Sequence, residues 1–256
     1  MVYITGDMHG CLERLYDKEF RKLKKGDILI VCGDFGYIFD GSKTETQVIN
    51  FFATRKFITA FVDGTHDNLT KINRARTTVW KGGKVHRIKG NLLHLMRGQI
   101  FNIDGTKFFA FGGGESIDKD MRIEQNLWWR EEEPTPDELA EGAEQLDEAG
   151  LKVDYIVTHE PPSLVKSAML MRRGDSDRVN KLNGYFDKIS RECEFKHWYF
   201  GSLHEDRTIT ERHTCVFKKV LLVKLNEKPQ SFSELPGESD EITVETTDEK
   251  ETVSAK

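Results

Sequence analysis

The chain has 256 residues, of which 38% are hydrophobic and 32% charged, which is typical of a globular protein and excludes a collagen-like or wholly disordered chain. Its formal net charge is −5, and no apolar run approaches the roughly 20 residues that a membrane-spanning helix needs. The four cysteines are widely separated and form no CxxC pair, which excludes a cysteine-based zinc finger and argues against a disulfide framework.

Acidic charge is concentrated in segment 227–256, which carries nine acidic residues and three lysines. The segment has few large apolar residues, so it cannot bury enough surface to offset its ordering entropy. We therefore predict a folded domain over 1–226 and a disordered acidic tail over 227–256, with a partner-binding tail as the alternative.

The rest of the chain is nearly neutral, which gives no electrostatic case for nucleic-acid binding. The first residues lack the basic start and long apolar stretch of a signal peptide. We therefore expect a cytoplasmic protein without a membrane partner. The sequence does not indicate an oligomeric state.

Three short apolar runs open the chain, and each ends in a polar turn that contains glycine. They predict strands at Val2–Thr5, Ile28–Cys32 and 57–62, with helical spacing over 12–23 and 44–55 between them. A β-α-β-α-β opening implies parallel strands. Because ligands bind beyond the carboxyl ends of such strands, the three polar turns are expected at one edge of a sheet.

The middle of the chain predicts a strand over 92–103, a tight Asp104-Gly105 turn and a second strand at Thr106–Phe111. Segment 115–136 follows and has no clear period. The remaining pattern predicts helices over 136–149, 163–171 and 178–191, strands over 153–157 and 197–200, and an antiparallel pair over 207–211 and 214–225.

Carboxylate and imidazole side chains are concentrated just after the predicted strands. A single aspartate there is usually a turn former or helix cap, and a single histidine is usually structural. The set is more informative, because carboxylate and imidazole together are ligands for manganese, iron or zinc. The sequence predicts a mixed metal site at the sheet edge from Asp7, His9, Asp34, His66, Asp67, His159 and His204.

The order and spacing of these residues resemble the sequence blocks of the calcineurin-like metallophosphoesterases, over residues 1 to about 225. Those blocks run GDxH, GD, GNH[D/E], H and GHxH. The matching segments here are Gly6-Asp7-Met8-His9, Gly33-Asp34, Gly64-Thr65-His66-Asp67, His159 and Gly201-Ser202-Leu203-His204. The sequences of segments 113–119 and 128–129 are similar to those of a bacterial and phage subgroup of this family, whose members resemble Ser/Thr phosphatases.

The resemblance implies an α/β fold, a four-layer α/β/β/α sandwich with two mixed sheets. It also implies hydrolysis of a phosphomonoester or phosphodiester by a metal-activated hydroxide, with two metals at the sheet edge. Manganese is the expected ion, with iron or zinc as alternatives, and the partner is a phosphorylated substrate of unknown class.

Each site residue takes a role from its position in the matching blocks. Asp7, His9 and His204 would bind the first metal, Asp34 would bridge, and His159 would bind the second metal. His66 would protonate the leaving oxygen, with Asp67 setting its tautomer and raising its pKa.

Two positions depart from the family pattern, and both affect the second metal. Thr65 stands where the family has asparagine, and Ser202 stands where it has histidine. Neutral hydroxyls on short stems are poorer ligands, so the second site is expected to be degenerate.

Three alternatives follow from this departure. The chain is an active phosphoesterase whose second metal is rescued by water or by nearby carboxylates, or it works with one metal. In the third alternative it is a catalytically impaired or inactive binding module, native or engineered. The candidate substitute ligands are Asp63, Glu160, Glu205 and Asp206.

Three residues in the unpatterned segment are weaker substrate-binding candidates. Arg122 suits a phosphate clamp, because a guanidinium matches phosphate oxygens, although an exposed charge is the alternative. Trp128 and Trp129 would flank a substrate ring, or else anchor a long loop locally.

Overall fold

The computed structural model describes residues 1–176 and 178–226, so the tail predicted over 227–256 lies outside the described residues. Within them, the strands form a seven-stranded and a six-stranded sheet. The strands are β1 (Val2–Thr5), β2 (Ile28–Cys32), β3 (Ile58–Val62), β4 (Arg76–Trp80), β5 (Gly83–Lys89), β6 (Leu92–Leu95), β7 (Gln99–Ile103), β8 (Thr106–Phe111), β9 (Tyr155–Thr158), β10 (His197–Phe200), β11 (Arg207–Thr210), β12 (His213–Cys215) and β13 (Leu221–Val223).

The first sheet has the order β13-β1-β2-β3-β6-β5-β4, and the second has the order β11-β12-β10-β9-β8-β7. Both are mixed. In the first sheet β1, β2 and β3 run parallel, as the opening pattern predicted, while β13 pairs antiparallel with β1. In the second sheet β8, β9 and β10 run parallel.

Helices follow most of the predicted ranges. The α-helices are α1 (Lys18–Lys22), α2 (Lys43–Ala53), α3 (Leu69–Ile72), α4 (Lys119–Glu124), α5 (Pro136–Glu148), α6 (Ser163–Arg173) and α7 (Lys181–Glu192), with 3-10 turns at Leu12–Tyr16 and Arg130–Glu132. A capping box between Thr135 and Glu138 begins α5. None of these helices has the length and apolar character needed to cross a bilayer.

Three apolar clusters define four layers. The central cluster joins the facing sides of the two sheets, with Ile30 of β2 and Val157 of β9 among its buried members. A second cluster packs Val48 of α2 on the outer face of the first sheet, and a third packs Phe186 of α7 on the outer face of the second sheet. The predicted α/β/β/α sandwich with two mixed sheets is confirmed.

Two predicted strands are each divided between the sheets. The predicted strand over 92–103 is wrong, because β6 lies in the first sheet and β7 in the second. Gly98, between them, has a φ of 75°, a left-handed conformation that glycine adopts readily. The predicted strand over 214–225 divides in the same way, with β12 in the second sheet and β13 in the first.

One hairpin was not predicted. Strands β4 and β5 pair antiparallel around a turn at Lys81 and Gly82, whose φ values are 52° and 93°. The predicted Asp104-Gly105 turn is present, with both residues at positive φ, as a tight hairpin turn of this type requires.

Candidate metal centre

The carboxyl ends of four strands, two from each sheet, meet at one edge. Asp7 and His9 follow β1, Asp34 follows β2, His159 follows β9, and His204 follows β10. The loops bond directly to one another: the His9 amide donates to the Asp34 carbonyl at 2.8 Å. The sheet topology therefore brings together residues that are up to 197 positions apart in the sequence.

Four of the predicted ligands form a compact cluster. Ligand atoms of Asp7, His9, Asp34 and His204 all lie within 4.8 Å of one another. The two Nε2 atoms of His9 and His204 are 2.8 Å apart, and His204 Nε2 is 3.0 Å from Asp7 Oδ2. His9 Nδ1 lies 3.7 Å from Asp34 Oδ2. Two imidazoles and two carboxylates are a donor set that suits a divalent transition metal.

The buried carboxylate of Asp7 indicates that a cation fits here. Both of its carboxylate oxygens are buried, and neither accepts a hydrogen bond of acceptable geometry from the described residues. An ionised carboxylate buried in this way is costly unless it is paired or bound to a metal. The Nε2 atoms of His9 and His204 face each other beside that carboxylate. A metal would bind to these nitrogens through their lone pairs.

Unusual backbone geometry fixes three of these ligands. His9, Asp34 and His204 have φ values of 48°, 41° and 51°, a left-handed conformation that side-chain-bearing residues seldom adopt. Strained conformations of this kind persist only where the surroundings impose them, and they are concentrated at functional sites.

His159 completes the cluster from the second sheet. Its ring is buried, with Nδ1 3.7 Å from Asp7 Oδ1 and Nε2 3.8 Å from Asp34 Oδ1. Burial alone would lower the pKa of His159, but the carboxylates of Asp34 and Asp7 outweigh it and raise that pKa well above its usual value. The ring therefore lies between two carboxylates whose charge it partly balances.

His66 lies on the solvent side of Asp34. Its Nδ1 is 2.9 Å from Asp34 Oδ2, and its amide donates to Asp34 Oδ1 at 2.7 Å. The hydrogen bond to Asp34 raises the pKa of His66, and its side chain is 44% exposed. His66 can therefore carry a proton toward a bound substrate.

A model of the calcineurin-like phosphoesterase family matches residues 1–206. The chain belongs to this family of phosphoesterases. No match was found among curated proteins. Because the family hydrolyses phosphoesters with bound metals, the Asp/His cluster is its candidate metal centre in this chain.

The expected role of Asp67 needs correction. Its buried carboxylate accepts hydrogen bonds from the backbone amides of Phe35, Gly36 and Gly64, at 3.2, 2.7 and 2.9 Å. It thus fixes two loops of this phosphoesterase, while Asp34 takes the place beside the His66 ring. Burial first, and the Asp34 charge second, raise the pKa of Asp67 to about 7.

The two positions that depart from the family pattern lie in the same region. The Thr65 hydroxyl is 3.1 Å from His66 Nδ1. The Ser202 Oγ is buried and has no hydrogen-bond partner among the described residues. The Ser202 amide donates to the His159 carbonyl at 3.1 Å, so its loop contacts that ligand directly.

The carboxylates considered as substitute ligands have partners of their own. Asp63 pairs with Arg97 at 2.6 Å, Glu160 with Lys166 at 2.7 Å, and Glu205 with Arg173 at 2.6 Å. Asp206 accepts hydrogen bonds from the amides of residues 217–219. Each would have to leave its partner before it could bind a metal.

Arg122 is neither an exposed charge nor a free clamp. It is buried, with Nη1 3.3 Å from Glu132 Oε2 and Nη2 donating to the Leu127 carbonyl at 2.8 Å. It also donates to the Ser116 hydroxyl. These contacts join α4 to the 3-10 turn at Arg130–Glu132, so Arg122 stabilises the insertion between β8 and α5.

The two tryptophans belong to the same insertion, and Trp129 packs against the loop between β2 and α2. Trp129 contacts Phe39 edge to face, with ring centroids 5.0 Å apart. Lys119 Nζ lies 4.6 Å from the centre of the Trp128 ring. These contacts are those expected if the tryptophans anchor the loop. The Asp/His cluster consists of Asp7, His9, Asp34 and His204 and includes neither tryptophan.

Sequence reasoning missed Arg14. Its buried guanidinium donates to the Asp7 carbonyl at 3.1 Å, to Thr5 Oγ1 at 2.9 Å and to the Phe217 carbonyl at 3.2 Å. It thereby fixes the loop that carries Asp7 and His9. In the sequence it is one of several charged residues between apolar positions, and nothing marks it as buried.

Proposed function

We propose that the chain hydrolyses a phosphomonoester or phosphodiester with one firmly bound divalent ion, manganese in the first place and iron or zinc otherwise. The observation that supports this is the convergence of ligand atoms of Asp7, His9, Asp34 and His204 within 4.8 Å of one another, with the Asp7 carboxylate buried and free of hydrogen bonds among the described residues. Mixed carboxylate and imidazole ligands suit all three metals.

The division of roles follows from the positions of the side chains. A bound divalent ion would act as a Lewis acid and balance charge on the phosphoryl oxygens. Asp34 lies between the cluster and His66, so it would orient both a metal and the His66 ring. With a raised pKa and a partly exposed ring, His66 would donate its proton to the leaving oxygen.

The second metal position supports a further candidate function. Asp34 and His159 are present there, but Thr65 and Ser202 replace an amide and an imidazole, and the substitute carboxylates are paired elsewhere. A second ion would therefore bind weakly. The second candidate is a catalytically impaired member of the family that keeps the fold as a binding module.

Manganese-dependent hydrolysis of 4-nitrophenyl phosphate and bis(4-nitrophenyl) phosphate tests the proposal. We expect turnover that needs the metal, is abolished in Asp34→Asn, and is unchanged in Asp147→Asn, an exposed control on α5. Absence of turnover in the unmodified chain, with turnover in Thr65→Asn/Ser202→His, would favour the binding module. Turnover that survives Asp34→Asn would overturn the assigned site.

A further inference from the structure

A cavity of about 700 Å³ opens beside the metal centre. Its wall includes Ser202 and His204, so it shares His204 with the Asp/His cluster. Its far side is formed by α6 and by the start of the insertion, through Leu170 and Ile117. A phosphoester whose phosphate lies at the cluster would therefore extend its organic part into this space.

Apolar side chains line both the floor and the mouth of the cavity. Leu170 and Leu203 are buried in the floor, while Ile117 at the mouth is 77% exposed. A ligand that covers an aliphatic side chain removes apolar surface from water, and this makes the free energy of binding more favourable. The cavity is thus suited to a group that covers Ile117 and reaches the two leucines.

The charges around the cavity balance. The described lining contains three basic and three acidic side chains. Lys166 pairs with Glu160 at 2.7 Å, and Arg173 pairs with Glu205 at 2.6 Å. A second phosphate or a nucleic-acid backbone would need surplus positive charge, and the lining does not supply it.

We infer that the cavity binds the organic part of the substrate, and that this part is bulky and uncharged with an apolar face, as in a fused aromatic ring system. The inference rests on the proposed function for the position of the phosphate. It names a substrate class: phosphoesters of large neutral alcohols or phenols, rather than polyphosphates or nucleic acids.

Binding of two esters to the manganese-loaded protein tests the inference without requiring turnover. Phenyl phosphate and 2-naphthyl phosphate carry the same phosphate and differ by one fused ring. We expect 2-naphthyl phosphate to bind about tenfold more tightly by calorimetry, because the second ring would cover apolar cavity wall.

A pair of variants ties this preference to the cavity. Ile117→Ser should reduce the affinity ratio of the two esters by about threefold, because it removes apolar surface at the mouth. Ile123→Ser is the matched control: Ile123 is also exposed in the insertion but does not line the cavity. Equal affinities for the two esters, or equal effects of the two substitutions, would overturn the inference.

Turnover measured with the same two esters separates the inference from the proposed function. Tighter naphthyl binding without hydrolysis of either ester would support the cavity assignment and contradict the hydrolase. Hydrolysis of both esters without any difference in affinity would support the hydrolase and contradict the cavity assignment.

Discussion

Asp7 is the residue whose environment depends most on a bound ion. Among the described residues its two buried oxygens accept no hydrogen bond, and the nearby rings of His159 and His204 balance only part of a negative charge there. We predict that Asp7→Asn lowers manganese affinity at least 100-fold, since it removes a ligand. The same substitution should raise the melting temperature of the metal-free protein, because it removes that buried charge.

Calorimetric titration and thermal unfolding of metal-free samples measure the two effects. Asp147→Asn, on the exposed surface of α5, is the control for loss of a carboxylate. If Asp7→Asn lowered the melting temperature of the metal-free protein, the contacts of Asp7 with His159 and His204 would outweigh the cost of burying its carboxylate, which would contradict the prediction.

The number of bound ions is predicted to depend on Thr65 and Ser202. We predict that Thr65→Asn/Ser202→His raises the manganese content from about one ion per chain to about two and increases phosphatase activity at least tenfold, because it restores two ligand types beside Asp34 and His159. Metal analysis after gel filtration gives the stoichiometry. Ser202→Ala should stay at one ion, and two ions in the unmodified protein would contradict the prediction.

The clustering of site residues could be predicted where several motifs occur in order along the chain. The contacts of a residue could not be predicted where the sequence offered only that single residue. Parallel pairing of β1 and β2 brings Asp7, His9 and Asp34 together, and the packing of the second sheet adds His204, which follows β10. The environment of Arg122 was not predictable, because its partner Glu132 lies ten residues away across an unpatterned segment. For Asp67, sequence adjacency suggested His66, while its carboxylate bonds to amides from another loop.

At the scale of elements, the insertion between β8 and α5 depends on one buried ion pair. Glu132 is fully buried and accepts hydrogen bonds from the Ser116 amide and hydroxyl, both at 2.9 Å, besides its contact with Arg122. We predict that Glu132→Leu lowers the free energy of unfolding by about 3–5 kcal/mol, because Arg122 would remain as a buried unpaired charge.

Urea unfolding measures this loss. The double variant Arg122→Met/Glu132→Leu should recover most of the stability, since it removes both charges together. Glu131→Leu, at the exposed neighbouring position, should change stability by less than about 0.5 kcal/mol. A double variant as unstable as Glu132→Leu would show that hydrogen bonds to Ser116, rather than the charge pair, stabilise the insertion.

Elements were predictable in the parallel opening and less so where strands cross between sheets. Strand β2 is an unbroken apolar run with every residue buried, which a strand between two layers requires. The division of 92–103 is marked in the sequence only by the short polar step Arg97-Gly98 between two apolar runs, which does not by itself indicate a change of sheet. Hairpin β4–β5 lies at the edge of the first sheet, and the partly exposed β4 lacks a clear apolar alternation.

For the whole molecule, buried histidines predict a loss of stability in acid. Burial lowers the pKa of His86 to about 4 and that of His213 to about 4, against about 6.5 in an unfolded chain. Between pH 6.5 and pH 4 the unfolded chain therefore binds more protons than the folded protein. Stability should fall as the pH falls through that range, by on the order of 2 kcal/mol for each histidine.

Urea midpoints at pH 7.0, 5.5 and 4.5 measure this dependence. Asp67 acts in the opposite sense, because its raised pKa makes the folded protein bind an extra proton between about pH 4 and 7. Comparison with the His86→Leu variant measures the contribution of this histidine. The stability of the variant should decline less between pH 7.0 and 4.5 than that of the unmodified protein. An equal decline in both proteins would contradict the assignment to His86.

Two glycines beside the metal centre, Gly33 and Gly201, limit how the two sheets can move relative to each other. A side chain on Gly33, directly after β2 of the first sheet, would collide with His159, which follows β9 of the second sheet. A side chain on Gly201, directly after β10 of the second sheet, would collide with Asp7, which follows β1 of the first sheet. Each sheet thus receives a ligand of the other in a space that only glycine leaves open. The two sheets cannot slide past each other without displacing both ligands. Amide hydrogen exchange in β2 and β9 should therefore slow together when manganese binds, because one opening event exposes both strands.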